Sequence, residues 1–318
     1  MEDKILKIFS RHRDAYVSGE DISKELGVSR ASIWKHIETL RDLGYEIEAS
    51  PHLGYKLIAR PDRLIPEELK DNLKTKLLGK KILAYKSLDS TNDTAYYLAE
   101  NGEKEGTVVI AEQQKKGKGR QGRHWASPKG GIYLSCIVKP DIEPKEVAKI
   151  TLVSAVAVCA SIREIANVPA MIKWPNDIII KKKKVCGILT EMKAEQDRVD
   201  FVIVGIGVNV DMPIKLLPKE AISLIKESDN RLSKVDLAKK ILENLEHYLI
   251  LFKEDGFDKI RDEWRHLSTT LGQNVRIYCH DKKIEGQALD VDEDGALVVR
   301  LESGFQRRVL SGDVVIAH

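Results

Sequence analysis

The segment 147–166 restricts the possible folds of this chain more strongly than any other stretch. It is apolar nearly all the way around a helical wheel, and such a helix has to be buried among other elements. Further helix-like segments lie at 67–78, 92–100 and 234–254. Strand-like segments lie at 81–86, 107–112, 132–138, 177–180, 185–191 and 199–206. Because helices separate only some of these strands, the pattern favours a mixed α+β sheet over a strict βαβ repeat.

Length and composition indicate a soluble protein of two or three domains, since 318 residues with 42% hydrophobic and 32% charged side chains can build sizeable cores. The net charge of +3 is too small to indicate a nucleic-acid partner by itself. Four scattered cysteines favour free thiols in a reducing cytoplasm over a zinc site or disulfide framework. We see neither a signal peptide nor an apolar run of membrane length, and therefore expect a cytoplasmic protein without a membrane segment.

Residues 1–60 have the pattern of a winged helix-turn-helix. Helices are predicted at 3–14, 18–26 and 30–43, and short strands at 45–49 and 54–58. Ser18 and Ser29 are suitable N-caps for the second and third helices, and Gly27 suits the turn between them. The two strands would form a hairpin, or wing, after the helices. A small helical domain for protein interaction is the alternative interpretation.

The third helix would enter a major groove with the start of the helix at the base edges. The predicted DNA-facing residues are Arg30, Ser32, Trp34 and Lys35. Residues 1–60 contain ten Lys/Arg and ten Asp/Glu, so one copy would attract phosphates only weakly. Specific binding would therefore need local clusters of cations and two copies on an operator with two half-sites.

A basic, glycine-rich segment follows one predicted strand, with the sequence Gly117-Lys118-Gly119-Arg120-Gln121-Gly122-Arg123-His124-Trp125. Glycines allow close approach of a ligand to the backbone, and fixed cations suit phosphate. A solvated basic loop is the alternative. The spacing also fits a dinucleotide fingerprint and a P-loop, but the segment neither leaves a strand directly nor opens a helix, and it lacks the Lys-Ser/Thr pair. Its five like charges, counted from Lys115, should keep it mobile until a ligand neutralises them.

Four other segments have both a structural and a functional interpretation. They are Ser90-Thr91-Asn92, Lys173-Trp174-Pro175-Asn176-Asp177, the lysines 181–184 and Gly205-Ile206-Gly207-Val208-Asn209. The first would cap a helix or bind a polar group there. The second would pack a strand end or place an amide and a carboxylate in a site. The lysines would form a solvated turn, with Lys184 pointing inward, and the glycines would make a bulge or leave room for a planar ligand.

Residues 271–318 are predicted to form a small SH3-like β barrel. Short strands are expected at 275–278, 284–290, 296–301, 306–310 and 314–316. Arg307 and Arg308 would lie on the surface or reach a neighbouring nucleotide site.

The four segments and the basic loop, together with Lys184 and Gly187, follow one another along the chain in an order that closely resembles the biotin–protein ligases. The preceding helix-turn-helix resembles the bifunctional bacterial type, which is both ligase and biotin-operon repressor. The resemblance covers essentially the whole chain. It implies a DNA-binding domain (1–60), a catalytic domain with a class II synthetase-like mixed sheet (61–270) and a C-terminal domain (271–318).

The resemblance also implies the reaction. Biotin and ATP, with Mg²⁺, would give biotinyl-5′-AMP, and a lysine of a biotin carboxyl carrier protein would then take the biotinyl group. Fixed cations and backbone N–H groups offset the charge that develops on the phosphoryl oxygens, so no protein nucleophile is needed. Biotinyl-5′-AMP would be the corepressor that promotes a homodimer on operator DNA. A lipoate-type adenylate ligase and a non-catalytic, ligand-sensing repressor are the alternatives.

The resemblance assigns roles to individual residues. Those expected at biotin are Ser90, Thr91, Asn92, Gln113, Gly117, Arg120, Lys184, Gly187 and Gly205. Those expected at the nucleotide are Lys118, Arg120, Arg123, Trp125, Lys173, Asn176 and Asn209. The catalytic set is Lys184, Arg120 and Asp177, and Asn176 or Asp177 is expected to contact the Mg²⁺ held by the phosphates. Lys118 stands where many relatives carry Arg, so this position loses a bidentate contact.

Overall fold

The computed structural model divides the chain into two compact units, residues 1–71 and 72–318. It describes residues 1–12, 14–228, 232–279 and 282–316. The first unit contains α1 (Glu2–Arg11), α2 (Gly19–Leu26), α3 (Arg30–Asp42), β1 (Glu46–Ser50), β2 (Gly54–Ala59) and α4 (Pro66–Lys70). Strands β1 and β2 pair antiparallel as the wing. The predicted winged helix-turn-helix is therefore confirmed, with α1 ending three residues earlier than expected.

Local chemistry explains where the helices of the first unit begin. The Ser18 hydroxyl accepts a hydrogen bond from the Asp21 N–H, and the Ser29 hydroxyl accepts one from the Ser32 N–H. Between these helices Gly27 adopts a φ of 65°, which a residue without a Cβ takes at little cost. Apolar residues at helical spacing then meet in one core, which includes Ile5, Ile22, Ile33, Ile37 and Leu40.

The chain after residue 60 continues to pack within the first unit. The buried carboxylate of Glu68 accepts hydrogen bonds from Tyr45 Oη at 2.6 Å and from Arg60 at 3.0 Å. Helix α4 is five residues long, so the helix predicted at 67–78 is wrong over most of its length. The N–H groups of residues 76–78 bond the carboxylate of Glu246 instead of carbonyls one turn back. That distant partner could not be read from local sequence.

The second unit is built on a mixed sheet of seven strands. They are β3 (Lys81–Tyr85), β4 (Thr107–Ala111), β5 (Ile132–Val138), β6 (Met171–Lys173), β7 (Asp177–Ile180), β8 (Lys183–Glu195) and β9 (Arg198–Val208). Their order is β3-β4-β5-β9-β8-β7-β6, and only β3 and β4 are parallel. The predicted mixed sheet is confirmed, and the three-residue strand β6 was not foreseen.

Helices cover this sheet. They are α5 (Thr91–Glu100), α6 (Val147–Ala166), α7 (Lys234–Asp255) and α8 (Asp258–Leu267). Helix α6 is buried along most of its length, as its sequence requires, and packs against α7, α8 and the sheet. Helix α8 was not predicted, because it buries only the two large side chains Ile260 and Trp264 in ten residues. None of the helices in the described ranges is long and apolar enough to cross a membrane.

The strands after α8 form a second sheet, which belongs to the same compact unit. Its strands are β10 (Asn274–Cys279), β11 (Lys282–Val291), β12 (Leu297–Arg300), β13 (Gln306–Val309) and β14 (Asp313–Ile316). All pairs are antiparallel, in the order β13-β12-β11-β10-β14, and the five predicted strands are all present. The buried Trp174 indole reaches this part of the chain, donating to the Gly295 carbonyl at 3.4 Å. Residues 280, 281, 317 and 318 of the predicted domain lie outside the described residues.

Candidate active site

The segments singled out in the sequence meet around one cavity of about 150 Å³ in the second unit. Its walls include the start of α5, the basic loop, the neighbouring ends of β7, β8 and β9, and the start of β14. The lining residues are Ser90, Thr91, Asn92, Gln114, Lys118, Gly119, Arg120, Arg123, His124, Trp125, Asn176, Asp177, Lys184, Gly187, Ile188, Leu189, Gly205, Ile206, Gly207 and Asp313.

Glycines form the floor of this cavity. Gly187 and Gly207 face each other on β8 and β9, and Gly205 lies two residues before Gly207. The pairing is regular through these positions and shifts only between Lys193 and Ala194, so the glycines do not form a bulge. A Cβ on Gly207 would lie 2.5 Å from Trp125 Nε1, and one on Gly187 would lie 3.0 Å from the same ring. The glycines therefore leave room for a flat group against the sheet.

The indole of Trp125 lies over that floor. Its Nε1 is buried and has no hydrogen-bond partner among the described residues. A buried N–H without a partner is costly, which marks this position as one that a ligand or a movement of the ring could satisfy.

A polar network lies at the start of α5. The Ser90 hydroxyl accepts a hydrogen bond from the Asp93 N–H, which is the capping role expected from sequence. Thr91 and Asn92 are buried, and the Ser135 hydroxyl lies 2.8 Å from Thr91 Oγ1 and 2.6 Å from Asn92 Oδ1. The segment thus caps the helix and also supplies hydrogen-bonding groups to the cavity.

Gln114, and not the predicted Gln113, lines the cavity. Its Oε1 accepts hydrogen bonds from the N–H and the hydroxyl of Thr91, at 2.8 and 3.1 Å. Its Nε2 donates to Ser127 Oγ at 2.8 Å. Neighbouring side chains point to opposite sides of an extended chain, so the choice between two adjacent glutamines depends on a register that the sequence did not reveal.

Arg120 is the central cation of the basic loop. Its Nη1 donates to the Gly312 carbonyl at 3.1 Å and to Asn176 Oδ1 at 3.3 Å. Within the described part of the chain, no carboxylate lies within ion-pairing distance of this guanidinium. Burial lowers the pKa of Arg120, and the nearby Asp177 carboxylate opposes that shift. An arginine stays charged in proteins, so a desolvated cation faces the cavity.

Other cations of the loop are already compensated by acids. Lys116 pairs with Asp89 at 2.8 Å, and Lys118 pairs with Asp93. Arg123 pairs with Asp313, at the start of β14. These ion pairs reduce the electrostatic repulsion among the loop cations, and that repulsion was the reason to expect a mobile loop. The acids lie outside the loop, so its own sequence gave no sign of them.

Lys184 and Asp177 form an ion pair inside the cavity, with Nζ and Oδ1 2.5 Å apart. The same Nζ lies 5.1 Å from the centre of the Trp125 ring. Lys181 and Lys182 make the turn between β7 and β8 with positive φ angles and are exposed. Lys184 is therefore the inward-pointing lysine of the four, as the sequence predicted.

Three other predicted residues lie outside the lining. Gly117 is buried, and a Cβ there would overlap the Ser127 hydroxyl, so its absence of a side chain serves the fold of the loop. Lys173 is half-buried, and burial lowers its pKa. Asn209 is buried, and its Nδ2 donates to the Lys184 carbonyl at 3.5 Å. Their contacts with biotin or the nucleotide therefore stay predictions.

Eight lining residues were not among the predicted site residues: Gln114, Gly119, His124, Ile188, Leu189, Ile206, Gly207 and Asp313. Gly119, His124 and Gly207 stand inside the motifs quoted from the sequence, so the predicted residues beside them were the available signal. Asp313 lies 190 positions beyond Arg123, and nothing in the sequence connects it to the site.

Family models match three parts of the chain. A domain described as HTH matches residues 2–56, the Biotin/lipoate A/B protein ligase family matches residues 84–209, and the Biotin protein ligase C terminal domain matches residues 270–316. The bifunctional ligase/repressor BirA of Bacillus subtilis is 38% identical over 315 residues, which is 98% of this chain and 97% of that protein.

The chain belongs to the bifunctional biotin ligase/repressor family.

A second sequence relative and a solved structure support this family assignment. The bifunctional ligase/repressor BirA of Escherichia coli is 30% identical, covering 93% of this chain and 92% of that one. A biotin protein ligase from Aquifex aeolicus, in complex with biotin and ATP, is 31% identical with a TM-score of 0.64, covering 75% of this chain and 99% of that one.

No group of three or more His, Cys, Asp or Glu side chains suited to a metal ion occurs in the described residues of this ligase/repressor. Asn176 and Asp177 line the cavity, but the first bonds Arg120 and the Ile188 carbonyl, and the second pairs with Lys184. Mg²⁺ prefers six oxygen ligands, so these two side chains would supply only a small part of its coordination.

The DNA-binding candidates of this family member lie on α3, in the first unit. Arg30 and Lys35 are exposed, Trp34 is 55% exposed and Ser32 is half-buried. This arrangement leaves two cations and an aromatic ring on the outer face of the helix.

Proposed function

We propose that this protein is an ATP-dependent biotin–protein ligase that also represses biotin genes when it carries biotinyl-5′-AMP. The observation that carries the proposal is the pairing of a glycine floor with cations around one cavity. Arg120 lacks a carboxylate partner among the described residues, and Lys184 stands above the floor. Such a site can hold a flat neutral group and two anionic ones together.

Biotin is assigned to the polar end of the cavity. Thr91, Asn92 and Gln114 offer donors and acceptors for a cyclic urea, and the glycines offer space for the rest of the molecule. The cavity of about 150 Å³ is smaller than ordinary ligand pockets of about 300–1,000 Å³. Because Trp125 occupies the glycine floor, we infer that its indole moves when the ligand enters.

In the first step, a carboxylate oxygen of biotin attacks the α-phosphorus of ATP. The bond from that phosphorus to the bridging oxygen breaks, and pyrophosphate leaves with the electron pair. Lys184 and Arg120 are placed to offset charge on the biotin carboxylate and the phosphoryl oxygens, a contribution that matters most in a water-poor site. Mg²⁺, arriving with the nucleotide, would neutralise further phosphate charge. Trp125 and Arg123 would contact the adenine and the outer phosphates.

In the second step, the amine of an acceptor lysine attacks the biotinyl carbonyl, and AMP leaves. The amine must lose a proton to form the amide. Asp177 is the carboxylate that lines the cavity beside Lys184, which makes it the candidate acceptor for that proton. We assign the acceptor to a biotin carboxyl carrier protein.

Repression requires two further elements. The winged helix-turn-helix supplies a recognition helix, and a homodimer promoted by biotinyl-5′-AMP would present two copies to a palindromic operator. The neutral charge of residues 1–60 makes the second copy necessary for tight binding. Because ATP, carrier protein and operator are found together in the bacterial cytoplasm, we place the protein there.

The test is incubation with ATP, Mg²⁺ and radiolabelled biotin, followed by chromatography for an acid-labile adenylate. A parallel reaction contains lipoate, because that acid could use the same cations. Biotinyl-5′-AMP formed in preference to the lipoyl product supports the proposal. Preference for lipoate contradicts the substrate assignment, and absence of either adenylate from folded protein favours a non-catalytic repressor.

A further inference from the structure

Gly312 and Asp313, where β14 begins, contact two arginines of the basic loop. The Gly312 carbonyl accepts a hydrogen bond from Arg120 at 3.1 Å, and the neighbouring Asp313 side chain pairs with Arg123. Both contacts connect the C-terminal sheet to the loop that covers the cavity. Asp313 itself lines that cavity.

This carboxylate stands where the proposed reaction brings phosphates. Under the proposed function, which this inference rests on, Arg123 contacts the outer phosphates of ATP. It also pairs with Asp313, so the two anions compete for one guanidinium. The Arg123 side chain is 58% exposed and the Asp313 side chain 26%, and an ion pair this accessible to water is weak enough to exchange.

The charge of the nucleotide changes during the reaction in a way that reverses the competition. ATP carries the β- and γ-phosphates into the site, and both leave as pyrophosphate. The adenylate that stays has only the α-phosphate, now joined to the ribose by an ester bond and to the biotin carboxyl group by a mixed anhydride bond. Arg123 then has no outer phosphate to contact, and Asp313 is again its available anion.

We propose that Asp313 and the outer phosphates of ATP are alternative partners of Arg123, and that the return of Arg123 to Asp313 closes the loop over biotinyl-5′-AMP. Asp313 is in this sense a positioning residue. Its effect is to retain the reactive adenylate until an acceptor lysine arrives. The C-terminal sheet thereby takes part in the reaction through a single carboxylate.

The experiment measures the release of radiolabelled biotinyl-5′-AMP from the full-length protein after rapid removal of free ligands. Asp313→Asn removes the charge with little change of shape, and Asp313→Glu restores it. We expect Asp313→Asn to release the adenylate about five- to tenfold faster and to lower the KM for ATP, because a competing anion is gone, a change of about 1–1.4 kcal/mol in the release barrier. Asp313→Glu should recover most of the slow release.

Glu285→Gln is the matched control, because Glu285 pairs with Arg276 on the same sheet and lines no part of the cavity. Its release rate should equal that of the wild type. The proposal is overturned if Asp313→Asn releases the adenylate within twofold of the wild type, or if Glu285→Gln accelerates release equally. The wild type must make the adenylate in either case, so failure here is distinct from failure of the proposed function.

A salt titration of the wild type tests the same idea without any substitution. Salt screens exposed ion pairs, so release should become faster between about 50 mM and about 500 mM NaCl. In Asp313→Asn this dependence should largely disappear. A wild-type release rate that does not change with salt contradicts the exchange, even if the variant proves too unstable to study.

Discussion

Lys184 makes three contacts in the site. Its Nζ pairs with Asp177 and lies over the Trp125 ring, and its carbonyl accepts a hydrogen bond from Asn209. Its three neighbours in the lysine run are exposed. At the scale of single residues, the role of a lysine in this run therefore depends on whether the backbone of β8 directs its side chain into the cavity or into solvent.

Replacing Lys184 with Ala should reduce adenylate synthesis by about 10²–10³-fold, the typical effect of losing one preorganised group that stabilises the transition state. Lys183→Ala removes an adjacent, exposed lysine and should leave the rate within twofold. ATP–pyrophosphate exchange dependent on biotin measures both. Equal rates for the two variants would remove Lys184 from the catalytic set.

Gly207 is a position where one methyl group should affect ligand binding. The new Cβ in Gly207→Ala would lie 2.5 Å from Trp125 Nε1 and would narrow the floor assigned to biotin. The KM for biotin should rise at least tenfold. Gly187→Ala is the graded comparison, because its Cβ would lie 3.0 Å from the ring and should have a smaller effect. A KM for biotin unchanged in Gly207→Ala would contradict this account of the floor.

The four cysteines should differ in reactivity, because burial acts on them unequally. Burial raises the pKa of Cys136 and of Cys159 to about 12, and it also raises the pKa of Cys186. Cys279 is half-buried. Because thiolates are the reactive form, we expect a thiol reagent at neutral pH to modify Cys279 alone in the native protein and all four cysteines in denaturant. Mass spectrometry identifies the modified site, and rapid labelling of a buried cysteine would contradict the packing.

At the scale of elements, local rules explain the first unit better than the second. Serine caps, a glycine turn and apolar spacing define α2 and α3. The long helix α6 was also predictable, since its apolar surface has no alternative to burial. In contrast, β6 has only three residues, although its partner β7 follows closely in sequence, and the short helix α8 packs against α6, which lies far away in sequence.

The cap of α3 gives a prediction at this scale. Ser29→Ala removes the acceptor for the Ser32 N–H and should destabilise the first unit by about 1 kcal/mol, whereas Ser29→Thr should keep most of the stability. Urea unfolding followed by circular dichroism measures the difference. Equal midpoints for Ser29→Ala and wild type would show that the cap contributes little.

At the scale of the whole molecule, the proposed function couples two units through a ligand. Biotinyl-5′-AMP should shift the protein from monomer to dimer at micromolar concentration and make operator binding dependent on that ligand. Sedimentation velocity with and without the adenylate measures the first effect, and an electrophoretic shift measures the second. A sedimentation coefficient that stays that of a monomer with bound adenylate would refute the coupling.

The sequence by itself determined the winged helix-turn-helix, the mixed sheet, the five C-terminal strands and most of the cavity lining. It did so because caps, turns and periodicity act over a few residues, and because the motifs around Arg120 and Lys184 resemble those of the biotin–protein ligases, which assigned the lining residues. Only the tertiary structure decided that Gln114 replaces Gln113, that the helix expected at 67–78 stops early, and that Asp313 meets Arg123. Each of these depends on a partner distant along the chain or on strand register, and local sequence holds no information about either.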